Sequence, residues 1–263
     1  MARHYAAGMR LVDYKKDAEA ARLEINNWVS DSTNQKIKDI IPQGVLDKLT
    51  RLVLANAVYF KAAWQMPFAP KSTMDGPFHL LDGSSVTVPM MMNIQDLTGM
   101  QGDGFSAVEL PYAGGQLSML ILLPDQGRFR EVEAKLNAEL VGGIGDAMAS
   151  VGFTAFWMPK FTFEGSFDLA DRLKALGMQD AFDPAKADFS GMESTGEIYL
   201  STALHKAYIS VDEQGTEAGA STVVLGIGFG GGYFSVDRPF IFLIRDNPTG
   251  AILFVGRVMN PGG

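Results

Sequence analysis

The 263-residue sequence contains no cysteine and only three histidines, His4, His79 and His205. Without thiols, disulfide staples, thiolate metal sites and cysteine nucleophiles are excluded together. The redox compartment stays open, because reducing and oxidising environments both tolerate such a chain. No two of the histidines stand at the short spacing of paired metal ligands, so metal chemistry has no sequence signal. Long apolar runs are also missing: a stretch such as residues 117–123 has strand length, well below the ~18 residues of a membrane span. The opening Met-Ala-Arg-His-Tyr-Ala-Ala-Gly-Met-Arg holds no apolar core of signal-peptide length, and the compartment is therefore not readable from it. Basic residues are few, 22 against 30 acidic ones, for a net charge of −8. Such a surface disfavours a nucleic-acid backbone or an anionic membrane as the main partner.

What is present is the composition of a folded protein, with 47% hydrophobic, 20% charged and 10% aromatic residues, enough to bury a sizeable core. Asp17 followed by Ala21, Ile25, Trp28 and Val29 predicts an N-capped amphipathic helix. The nearly continuous apolar run 52–60, broken by Asn56, predicts a central strand buried on both faces. Residues 107–112 and 116–123, joined through Ala113-Gly114-Gly115, read as a hairpin. Further helices are predicted over 129–140 and 168–176, the second closed by Gly177. Further strands are predicted over 153–161, 198–212, 233–236, 240–245 and 251–259. Strands and helices come in blocks and no Pro/Ser-rich linker divides the chain, which predicts a single α+β domain over 1–263.

Gly226, Gly228 and Gly231 formally satisfy the dinucleotide fingerprint G-x-G-x-x-G. That chemistry needs a helix N-terminus directly after the glycines. Here Tyr233-Phe-Ser-Val-Asp-Arg-Pro-Phe240 follows, an extended segment closed by proline, so an exposed loop is the better reading. No G-x-S-x-G elbow, P-loop or H-E-x-x-H motif occurs, and neither a catalytic residue nor a cofactor or metal ligand is assigned.

Just before the glycines stands Val211-Asp-Glu213-Gln-Gly215-Thr216-Glu217-Ala218-Gly219-Ala220-Ser-Thr-Val-Val-Leu225. This acidic residue, spacer, Gly-Thr-Glu and run of small residues resembles the reactive-loop hinge of the serpins. The resemblance continues through Ile25-Asn-Asn-Trp-Val29, residues 54–64, Glu109-Leu-Pro-Tyr112, Met158-Pro-Lys-Phe161, Ala187-Asp-Phe-Ser-Gly191, His205-Lys206, Asp237-Arg-Pro-Phe240 and Leu253-Phe-Val-Gly-Arg257. It begins about a third of the way into a serpin, so the usual N-terminal helices and one sheet strand are expected to be absent.

The resemblance implies a serpin-like fold, with a large central sheet, smaller sheets, flanking helices and a reactive-centre loop region at 213–238. It implies an inhibitor of serine proteases, not an enzyme: a suicide substrate whose cleaved loop inserts into the central sheet. The implied partner is a chymotrypsin-like or subtilisin-like protease met by a monomer prone to polymerise, in an extracellular or periplasmic setting. The hinge is Glu213, Gly215, Thr216, Glu217, Ala218, Gly219 and Ala220. Support for sheet opening falls to Asn56, His205, Trp64 and Lys160. With the family's loop spacing, counting forward from Gly215 reaches Phe229 and counting back from Asp237-Arg-Pro-Phe240 reaches Gly228; the preference of a specificity pocket for an aromatic ring favours Phe229-Gly230 as the reactive bond, with Leu225 and Ile227 as minor candidates. The residues have their own logic: Thr216, Ala218, Ala220, Thr222 and Val224 alternate onto one small face, as a strand sliding into a packed sheet requires. A non-inhibitory carrier, chaperone or storage serpin, an inactive fragment and, more distantly, a dinucleotide enzyme are the other readings.

Overall fold

The computed structural model describes residues 9–192, 196–216 and 232–262. Its helices are α1 (Ala18–Ser32), α2 (Phe129–Lys135), α3 (Ala138–Ala147) and α4 (Ala170–Ala175). The first strands are β1 (Leu52–Tyr59), β2 (Ala62–Ala63), β3 (Met74–His79), β4 (Ser85–Gly102), β5 (Phe105–Pro111) and β6 (Leu117–Pro124). They are followed by β7 (Ala149–Pro159), β8 (Phe161–Asp168), β9 (Leu200–Asp212), β10 (Gly215–Thr216), β11 (Gly232–Ser235), β12 (Phe240–Asp246) and β13 (Ile252–Val258). The chain divides into two compact units, Met1–Tyr59 with Phe163–Ile209, and Phe60–Thr162 with Ser210–Gly263.

In the first unit, Asp17 caps α1 by accepting from the Ala20 amide at 2.9 Å. The apolar stripe of the helix, Val29 with Ile25 and Trp28, packs with Ile37, Ile40, Ile41 and Leu46 and with Val53, Ala55 and Ala57 of β1. Asn26, on the same helix, is buried and holds both backbone groups of Ile41: its Nδ2 donates to the carbonyl at 3.0 Å and its Oδ1 accepts from the amide at 2.9 Å. β1 lies parallel to β9, with Asn56 opposite His205 and Tyr59 opposite Tyr208.

One expectation fails here. The apolar run of β1 predicts burial on both faces, yet Leu54 is 47% exposed and Asn56 is exposed. Period-two alternation sends Val53, Ala55 and Ala57 toward α1 and leaves Leu54 and Asn56, on the opposite face, exposed.

In the second unit, the strands of an eight-stranded sheet follow the order β11-β7-β4-β5-β6-β12-β13, with β3 also on β4. Leu120 and Leu122 of β6 and Ile241 and Leu243 of β12 pack against Phe129 and Val132 of α2 and Ile144 of α3. The β5–β6 hairpin turns through Gly114 and Gly115, at φ of 88° and 68°, a left-handed conformation that suits glycine.

Two predicted elements are split. The helix expected over 129–140 breaks because Asn137 caps a new helix, accepting from the Leu140 amide at 2.8 Å. The strand expected over 153–161 ends at Pro159, after which the Lys160 amide donates to Pro89 and β8 starts afresh. The strands β3, β4 and most of β8 have no counterpart in the sequence reading, β4 because its alternation is interrupted by Met90-Met91-Met92.

Asn26→Leu leaves two buried backbone groups of Ile41 without partners, and a loss of about 2–4 kcal/mol in unfolding free energy is expected. Urea titration checks it. A midpoint equal to the parent's at unchanged slope would remove Asn26 from the forces holding this unit together.

Candidate functional site

Strand β9 ends at Asp212, and after a turn through Glu213 and Gln214 the chain doubles back as β10. Gly215 and Thr216 pair antiparallel with Asp212 and Val211 on one side and with Ala63 and Ala62 of β2 on the other. Two residues after the turn, the chain already has a strand on each flank.

The carbonyls of this turn are all occupied. Trp64 Nε1 donates to Asp212 at 3.0 Å, the Phe68 amide to Glu213 at 2.8 Å and the Trp64 amide to Gln214 at 2.9 Å. Trp64 is buried and stacks on Tyr112, centroids 4.6 Å apart and planes 8° from parallel. Tyr112 closes the circuit, its hydroxyl 2.8 Å from Thr216 Oγ1. Burial raises the Tyr112 pKa against the opposing effect of the Thr216 bond, so the phenol stays neutral and free to donate.

Gly215 has φ of 147°, and a β-carbon there would lie 2.2 Å from the Ala62 carbonyl oxygen and 2.7 Å from Ala63 Cα. Backbone crowds backbone, so no side chain can be accommodated by rotation. Thr216 follows at 0% exposure, in a space that fits a small side chain with one hydrogen-bonding group.

Glu213 is buried at the turn. Lys160 Nζ reaches both carboxylate oxygens, at 2.9 and 2.7 Å, and the Thr73 hydroxyl donates to Oε1 at 2.7 Å. Desolvation works to raise this carboxyl's pKa, but the bonds from Lys160 and Thr73 prevail and hold it below the ordinary value.

Asn56 and His205 belong to the first unit, where Asn56 Oδ1 lies 2.9 Å from His205 Nδ1 across the β1–β9 ladder. With Oδ1 as acceptor, Nδ1 carries the proton. Burial depresses the His205 pKa, and the Phe167 ring stacks on the imidazole at 6.0 Å. The adjacent Lys206 is buried, pairs with Glu164 and donates to the Asp39 carbonyl at 3.2 Å.

Of the residues singled out from sequence, Trp64, Lys160, Glu213, Gly215 and Thr216 thus meet in the second unit, and Asn56 meets His205 in the first. Glu217, Ala218, Gly219 and Ala220, the reactive bond Phe229-Gly230 and the glycines Gly226 to Gly231 lie outside the described residues. Directly after those glycines the chain is a strand, β11, not a helix. Sequence reasoning missed Tyr112 and Thr73. Tyr112 carries a faint signal, an aromatic residue just after a strand-ending proline; Thr73 carries none.

The ion pair sets an acid dependence. The folded pKa of Glu213 lies below the ordinary glutamate value of 4.5, so its contribution is fully present above that value and is lost as the pH falls through the lower folded value. Glu213→Gln is expected to be less stable than the parent by about 1–2 kcal/mol at pH 7, discounted for the partial exposure of Lys160. The gap should close below pH 4.5. Urea midpoints across this range check it, and a gap independent of pH would contradict the electrostatic account.

A family model described as Serpin (serine protease inhibitor) matches residues 1–261. Antithrombin-III of Mus musculus is 37% identical over 265 residues, 98% of this chain and 57% of that protein. An uncharacterized serpin-like protein of Thermococcus kodakarensis is 42% identical over 265 residues, 98% of this chain and 60% of that one. The chain therefore spans 57–60% of the length of these curated relatives. The solved structure of uncleaved ovalbumin matches with a TM-score of 0.88 at 30% identity, over 98% of this chain and 67% of that one. The α+β architecture and these matches together establish that the chain belongs to the serpin family of serine protease inhibitors.

Proposed function

We propose that the chain inhibits a chymotrypsin-like or subtilisin-like serine protease as a suicide substrate, its cleaved loop entering the sheet between β1 and β9. The observation that carries this reading is the position of Gly215 and Thr216, flanked by strands on both sides before any cleavage. Extending β10 by further residues would continue a central antiparallel strand, and the small residues Ala218, Ala220 and Thr222 on the alternate face offer no bulk to stop it.

What insertion must undo is the parallel ladder from Leu52–Leu200 to Tyr59–Tyr208. Parallel pairing is somewhat weaker per residue than antiparallel pairing, and an inserted strand gains hydrogen bonds on both edges, so the exchange is downhill once the loop is cut. The Asn56–His205 contact bridges this seam and must part, which makes it a gate.

The chemistry belongs to the protease. Its serine Oγ attacks the Phe229 carbonyl carbon, the bond to the Gly230 nitrogen breaks, and that nitrogen leaves as an amine after taking a proton from the protease's histidine. The acyl ester between serine and Phe229 then persists if insertion outruns hydrolysis. An aromatic side chain at 229 gains from burial in a specificity pocket where a glycine gains nothing.

Mixing the protein with chymotrypsin and subtilisin tests the reading. The expected product is a complex that survives boiling in detergent, with release of a C-terminal peptide starting at Gly230 in mass spectra. Thr216→Arg brings a guanidinium into a fully buried place and removes the Tyr112 bond, at a cost of several kcal/mol by rough estimate. This variant should still be cleaved but should no longer trap. Trapping at the parent's yield by Thr216→Arg would rule out insertion. Cleavage of the parent without any stable complex would assign the chain to a non-inhibitory role.

A further inference from the structure

Beyond residue 231 the chain returns at Gly232 as β11, the edge strand of the eight-stranded sheet, parallel to β7. Gly232 stands opposite Thr154 and Tyr233 opposite Ala155. Alternation then divides the side chains between the two faces. Phe234 turns inward and stacks on the fully buried Phe156, centroids 6.0 Å apart. Tyr233 turns outward at 72% exposure, and on the same face Phe153 of β7 is 67% exposed. The next strand, β4, places Ile94 opposite Ala155 and Asp96 opposite Phe153.

Two large rings held open on neighbouring strands form an apolar patch of the kind that marks an interaction site. Asp96 is the one charge at its border named by the register, and its carboxylate accepts from the Ser150 hydroxyl at 2.8 Å. The patch follows the reactive segment closely along the chain: two residues separate Gly230 from Tyr233, a span of at most about 11 Å. A protease domain of roughly 230 residues has a radius of gyration of about 17 Å. An enzyme clasping the bond at 229–230 is therefore large enough to reach this face.

We propose that the outward face of β11 and β7, carried by Tyr233 and Phe153, is a second docking surface for the body of the target serine protease, engaged while the loop occupies its active site. This rests on the inhibitor reading above and adds to it a partner surface. Exposed aromatic rings are the side chains that dominate such interfaces. The matching surface on the protease is an apolar rim beside the leaving-group side of its cleft, with a basic group positioned to meet Asp96.

Phe153→Thr and Tyr233→Thr test it, since threonine keeps strand propensity at exposed positions and the fold should be retained. With chymotrypsin and subtilisin, the double variant is expected to form covalent complex about tenfold or more slowly with at least one enzyme. The number of inhibitor molecules consumed per protease trapped should not change, and a peptide of residues 224–232 should be cleaved as before. An unchanged rate with both enzymes, in a parent that traps, overturns the docking surface and leaves the inhibitor reading standing. If the parent is cleaved but does not trap, the inhibitor reading fails. The rate of loop cleavage in the same variants then decides this one: a tenfold drop supports it and no drop overturns it. A parent not cut between 217 and 231 by either enzyme overturns both. A parent dimer that the double variant dissolves, seen by sedimentation, would make the face a contact between copies and overturn the proposal.

Discussion

Gly215 approaches the backbone of β2 so closely that a β-carbon would stand 2.2 Å from a carbonyl oxygen, and the arrangement around the loop root follows from that approach. Because the chain passes so near, Thr216 is delivered between two strands, and its hydroxyl reaches Tyr112. Tyr112 in turn needs the parallel face of Trp64, and Trp64 spends its indole proton and its amide on the carbonyls of the turn. Lys160 and Thr73 complete the enclosure by neutralising and solvating the Glu213 carboxylate, which otherwise could not be buried. A short segment is thereby held between two strands, with its backbone groups already paired.

The same economy of small residues governs the first unit. Along β1 and β9 an alanine repeatedly faces a larger side chain, Ala203 opposite Leu54, Ala55 opposite Leu204 and Ala57 opposite Lys206, and Asn56 makes a polar contact with His205 across the ladder. The face bearing Leu54 and Phe167 stays open among the described residues, and such a surface is a liability for association between chains.

Much of this was legible in the sequence for identifiable reasons. Helix α1 declared itself through Asp17 and its 3.6-residue stripe, and the β5–β6 hairpin through paired glycines between apolar runs. The Gly-Thr-Glu pattern singled out the loop root before any geometry was known. What sequence could not supply was contact across distance. Nothing local to Tyr112 says that its hydroxyl meets Thr216, 104 residues on, and nothing near Thr73 names Glu213. The burial of β1 was misjudged for the same reason, since an apolar strand reads identically whether one face or two are covered. Asn137 shows the opposite failure, a cap signal present in the sequence but overridden by the apolar periodicity around it.

The central claim is that a native sheet with a short seated strand converts to a more stable one when its loop is cut and inserts. Limited cleavage within 217–231, followed by thermal unfolding and amide hydrogen exchange, tests this most directly. The account predicts a clear rise in the unfolding midpoint, with slower exchange at the β1 amides as a new antiparallel neighbour replaces the parallel one. A cleaved protein that melts at or below the temperature of the intact one, with β1 exchange unchanged, would contradict it.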